Sequence, residues 1–72
     1  MHQSKVLNIM DHGTHITAFR YYAKSGETLP DKYRNAPYRV FTETRYSRKQ
    51  IAKCEDLCTC LSVAYQYIMN GG

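Results

Sequence analysis

Seventy-two residues are enough for one small domain and too few for a deep catalytic cleft, because a chain this short hides only about 60% of its unfolded surface on folding. Ten Lys and Arg against six Asp and Glu leave a net charge of +4, spread from Lys5 to Lys53, which favours docking on phosphate or on an acidic protein patch without choosing between them. Nowhere do roughly 20 apolar residues follow one another as a membrane span requires, and three cysteines make no paired framework, so the expectation is a soluble cytoplasmic protein with reduced thiols.

Val6 to Met10 is apolar except at Asn8, Asp11-His12-Gly13-Thr14 holds turn residues, and Ile16 to Ala23 is rich in β-branched and aromatic residues. This spacing predicts a hairpin with its apex at 11–14. In its second strand His15, Thr17, Phe19, Tyr21 and Ala23 alternate with Ile16, Ala18, Arg20, Tyr22 and Lys24, and the first set reads as the core face. Residues 24–37 are polar and broken by Gly26, Pro30 and Pro37, which predicts a long loop with Lys32, Tyr33 and Arg34 as its contact residues.

Tyr38 to Tyr46 alternates as a third strand. Arg39, Phe41, Glu43 and Arg45 form one face, and three charges make it the wet one; Tyr38, Val40, Thr42, Thr44 and Tyr46 form the other. Ser47-Arg48-Lys49-Gln50 has the form of a capping box, so a helix is expected from about residue 48 to about 69, stopped by Asn70-Gly71-Gly72. At 100° per residue its core stripe is Ile51, Cys54, Leu57, Cys58, Leu61, Ala64, Tyr65 and Ile68, with Met69 at the margin. On its back Ala52, Cys60, Val63 and Tyr67 offer a partner or homodimer contact.

The expected fold is α+β: a three-stranded antiparallel sheet with one C-terminal helix on one side, in the order β-β-β-α. In element order this resembles the three-strand-plus-helix DNA-binding domains of the AP2 and integrase arm-binding type. The likeness implies a sheet that enters the major groove and transfers no residue. One helix covers one side of the sheet, so the other is expected to show Arg20, Tyr22 and Lys24 beside Arg39, Phe41 and Arg45, basic groups interleaved with rings that suit phosphates and bases. Seven Tyr and no Trp add large amphipathic rings of the kind interfaces use.

A zinc site would have to unite His12 and His15 with Cys54 and Cys58, a spacing unlike the short knuckles of structural zinc; no metal or other cofactor is expected. Cys60, on the side of the helix, is the thiol expected to react first. Without a phosphate loop, nucleophile elbow or paired carboxylates, the chain reads as a non-enzymatic binding protein. It is expected to dock on nucleic acid or a nucleoprotein complex, and not on a membrane. The alternative is an inhibitor or adaptor of the phage or mobile-element type, which blocks a host protein such as a defence complex through the sheet face or the helix back.

Overall fold

The computed structural model describes residues 1–71. Along the chain come β1 (His2–Asp11), β2 (Thr14–Tyr22), α1 (Asp31–Arg34), β3 (Tyr38–Glu43), β4 (Arg48–Cys54) and α2 (Leu57–Met69). The strands form an antiparallel sheet in the order β1-β2-β3-β4, and α2 packs on one side of it against β3 and β4. The class is α+β with a C-terminal helix, and the sheet has four strands where the sequence pattern predicts three. With a fourth strand and α1 in place, the β-β-β-α order no longer describes the chain.

The difference lies at residues 48–54. Ser47 does not cap a helix, because Thr44 to Ser47 closes as a hairpin turn. The Thr44 amide donates to the Ser47 carbonyl at 2.8 Å, and the Thr44 hydroxyl accepts from the amides of Tyr46 and Ser47 at 3.3 and 3.2 Å. A backbone turned back in this way feeds a strand, and Arg48–Cys54 pairs with β3. The helix begins at Leu57, where the Asp56 carboxylate accepts from the Thr59 amide at 2.7 Å and fills the capping role. At its far end the Asn70 and Gly71 amides donate back to the Gln66 and Ile68 carbonyls, so the stop falls where expected; Gly72 lies outside the described residues.

The hairpin apex is also where the sequence places it. His12 and Gly13 both take positive φ, 48° and 83°, the signature of a type I′ turn whose twist matches that of the flanking strands. Residues 24–37 are not all loop, since α1 adds one helical turn at 31–34.

The core consists of Ile16, Ala18, Val40, Cys54, Cys60 and Ala64, with Thr42 beneath the helix beside them. Ile16 stands opposite Thr42, Ala18 opposite Val40, and Val40 opposite Ala52. β2 therefore turns its aliphatic set inward, and the ring-bearing set expected in the core faces away. Small side chains allow α2 to sit close on the strands, which Phe19 and Tyr21 would prevent.

Both edge strands carry a one-residue bulge. Lys5 pairs with Phe19 and Leu7 with Ala18, leaving Val6 as the extra residue; Gln50 pairs with Phe41 and Ala52 with Val40, leaving Ile51. Under strict alternation Lys5 would share a face with Leu7 and Ile9, and Arg48 and Gln50 would share one with Ala52 and Cys54. Each bulge reverses the phase, so Leu7, Ile9, Ala52 and Cys54 stay on the helix side while Lys5, Arg48 and Gln50 turn to the open side.

Candidate nucleic-acid interface

On the open side the pairings align Lys5, Phe19, Arg39 and Lys53 in one row across all four strands. With neighbouring strands about 4.8 Å apart, the row spans about 14 Å. The next rows hold Asn8, Thr17, Phe41 and Gln50, and then Met10, His15, Glu43 and Arg48. Phe19 and Phe41 meet edge to face at 5.9 Å between ring centres. The Arg48 guanidinium lies 4.0 Å above the Phe41 ring and 5.4 Å from that of Phe19, and the Lys5 ammonium stands 5.6 Å from Phe19. The two rings thus form a half-buried platform roofed by cations.

Glu43 contributes the one carboxylate on the strands of this face among the described residues. It accepts from the Thr17 hydroxyl and pairs with Arg48 Nε, each at 3.3 Å. Set against it are Lys5, Arg39, Arg48 and Lys53, so the strands of this side account for most of the chain's net charge of +4.

Arg39 has the least ordinary environment of these. Only 6% exposed, it has no carboxylate partner among the described residues; it donates from Nη2 to the Lys32 carbonyl at 2.6 Å, and its buried Nε has no acceptor. Its guanidinium packs 4.5 Å from the centre of the Tyr33 ring, which also stacks on Tyr21 at 4.6 Å, with Lys32 Nζ 5.1 Å away. Thus α1 lies as a strap over one end of the open side, a cover that the sequence does not anticipate. A buried cation without an anion holds its charge at a cost, offset here by the ring face and one carbonyl.

The expected contact residues are distributed as follows. Arg39 and Phe41 are on the open side, although neither is freely exposed. Arg20 and Tyr22 lie on the opposite side, in phase with Ile16 and Ala18; Arg20 packs 5.8 Å from the Tyr22 ring, and Tyr22 stacks on His2. Lys24 lies past the end of β2. Arg45 is exposed in the β3–β4 turn beside Tyr46, which is 88% exposed. Of the loop residues, Lys32 and Tyr33 join the Arg39 cluster, while Arg34 points to the loop itself, bonding the Leu29 carbonyl and Asp31. Sequence reasoning missed Lys5, Phe19, Tyr21, Arg48 and Lys53 for three reasons: it took the ring-bearing set of β2 as the core face, assigned no face to β1, and read residues 48–54 in helical phase.

The expected helix-back contact is not available to a partner. Cys60 is buried, Val63 and Tyr67 pack against the core, and Ala52 belongs to β4. Cys60 accordingly is not the reactive thiol. Burial first, and a hydrogen bond with Cys54 second, push its thiol well above the ordinary value, whereas Cys58 is exposed. His12 projects at the β1–β2 tip, His15 contacts Asn8 on the open side, and Cys54 is buried beneath α2, so the four residues considered for zinc are not brought together. Among the described residues no group of three potential ligands converges on a metal position, no pocket opens, and no helix is long and apolar enough to cross a membrane.

No family model, curated protein or solved structure matches the chain. The functional reading therefore rests on the geometry of the open side.

Proposed function

We propose that the protein is a non-enzymatic binding module that docks the open side of its sheet on the phosphate backbone of nucleic acid, alone or within a nucleoprotein complex. The observation that carries this reading is the transverse row Lys5-Phe19-Arg39-Lys53 with Arg48 beside it: Lys5, Arg48 and Lys53 reach solvent on a shallow surface with one carboxylate, and Arg39, buried beneath the strap, adds its charge from below. Cations spaced on strands meet a polyanion in fixed register, and the counterions they displace from it drive association. The rings support and orient the cations. Because Phe19 and Phe41 are roofed, a base stacks on the Arg48 guanidinium plane or displaces it, so phosphate contact comes first and sequence preference is weak.

A second reading is favoured by Tyr46 and Arg45 at the β3–β4 tip, residue types that anchor protein contacts. In it the module is an inhibitor or adaptor of the phage or mobile-element type whose tip occludes a host protein. Binding of a labelled oligonucleotide to nuclease-treated protein separates the two. Retention that weakens steeply with salt supports the first reading, and absence of retention at about 50 mM salt removes it.

A further inference from the structure

Helix α2 carries an apolar ridge that its own fold leaves bare. Leu57, Leu61, Tyr65 and Met69 are 40, 46, 68 and 71% exposed, whereas the face packed on the sheet is formed by Cys60, Val63, Ala64 and Tyr67. Spacing of four places the exposed residues in a single i±4 row, the kind of ridge by which helices most often pack on one another. No residue from Leu57 to Met69 is charged, so the solvent face of α2 lacks the ionic groups that normally solvate an exposed helix.

We propose that this ridge is covered by a second copy of the chain, α2 against α2 about a two-fold axis. Charge decides the occupant. The chain carries +4, most of it on the open side of the sheet, so two copies repel through that side; α2 is the uncharged element and lies on the opposite side. Contact through α2 brings two copies together with their cationic faces on opposite outer sides. The ridge is also self-complementary, because a two-fold axis passing through the ridge midway between Leu61 and Tyr65 sets Leu61 of one copy against Tyr65 of the other. Identical i±4 ridges interdigitate at a crossing angle of about −50°, at which helix ends diverge, so Leu61 and Tyr65 hold the centre and Leu57 and Met69 flank it.

Taking roughly 200 Å² for a large side chain, the exposed fractions set an upper bound of about 450 Å² per copy, or about 900 Å² in all. Stable interfaces begin near 1,200 Å², and with the helix ends diverging the contact falls below that limit even where the exposed flanks Cys58, Ser62 and Gln66 add to it. The dimer is accordingly a weak, concentration-dependent one. It presents two cationic sheets on its outer sides, which would raise avidity for a polyanion without any new contact.

Sedimentation equilibrium of nuclease-treated protein, in reductant and with Cys58→Ser to exclude a disulfide-linked species, tests this over about 1 μM to 1 mM. The expected result is a monomer–dimer equilibrium that persists at high salt, with the dissociation constant raised at least about tenfold by Leu61→Lys and by Tyr65→Ser. Both residues are exposed, so circular dichroism of either variant at low concentration should match the parent. A parent that stays monomeric throughout the range, or a dimer unaffected by both substitutions, overturns the proposal. Neither result bears on the sheet face, whose binding is read separately by oligonucleotide titration.

Discussion

Replacing Lys5 and Lys53 together with Ala removes the two ends of the cationic row without touching the core, since both are exposed strand residues. Lys5, Lys32, Arg48 and Lys53 are the cations of the open side whose side chains reach solvent; Arg39 is held beneath the strap. About four phosphate contacts give a slope of about −2.8 in log affinity against log salt for a single strand, and about −3.6 for duplex DNA. Between about 50 and 200 mM salt the parent should then lose about 50-fold in affinity for a single strand, or about 150-fold for duplex. With about two contacts left, the double variant should lose only about 7-fold for a single strand over the same range. Fluorescence anisotropy of a labelled oligonucleotide at the two salt concentrations measures both responses. An identical salt slope in parent and double variant would refute the assignment of these two lysines to phosphate, whatever the absolute affinities. Arg39→Ala is a poorer test, because removing the residue that ties the strap to the sheet changes folding as well as charge.

Ile16 is wholly buried in the core with Val40, Cys60 and Ala64, so Ile16→Ala should cost about 2–5 kcal/mol, and the melting temperature should fall by at least about 10 °C, whereas Leu61→Ala should change it little at low concentration. A chain of this length has about 4–11 kcal/mol to lose, so calorimetry that found Ile16→Ala neutral would contradict the core described. A thiol reagent at neutral pH should modify Cys58 quickly and leave Cys54 and Cys60 intact until the protein unfolds; mass mapping of the first-modified residue reads this directly. Glu27 is held below its ordinary value by the Lys24 amide first and then by the Met1 amine, and Asp56 by the Thr59 amide. Both therefore favour the folded state fully above the ordinary carboxylate range and lose that effect as pH falls through the lowered native values. Melting temperature should hold down to about pH 5 and drop below about pH 4, and Glu27→Gln with Asp56→Asn should flatten the drop.

The parts of the fold legible in the sequence are those where one local rule acts alone. Gly13 after His12 marks the hairpin apex because positive φ is cheap there, and β3 shows its faces because Val40 and Thr42 alternate with Arg39 and Phe41 without interruption. Residues 48–54 were illegible because the bulge at Ile51 breaks the period of two, and because Ser47-x-x-Gln50 imitates a cap that the hairpin turn overrides. The helix phase failed for a related reason. Anchoring the stripe on Ile51 and Cys54, which belong to β4, rotates it onto Leu57, Leu61 and Tyr65, and without charged residues the only counter-signal is the uncharged polar set Thr59, Ser62 and Gln66. Alternation places Arg39 and Phe41 on the open side of β3, whereas Tyr33, expected as a loop contact, packs on Arg39 and Tyr21. Lys5 and Arg48 required knowledge of the bulges, which depend on cross-strand pairing.

The two bulges connect fold and proposed function in one physical argument. An edge strand with strict alternation would place Lys5 beside Leu7 and Ile9 on the side that α2 partly covers, where a lysine loses solvation and gains no partner. An extra residue at Val6 removes that conflict, at the expense of local ladder bonds, and the extra Ile51 does the same for Arg48. The same distortion twists each edge strand locally, which disfavours extension of the sheet by edge addition. What remains accessible is one cationic surface and, across the sheet from it, one uncharged ridge on α2. Because the two are built from different elements on opposite sides, a substitution at Lys53 and one at Leu61 should act independently, and their effects on binding and on self-association should be separable.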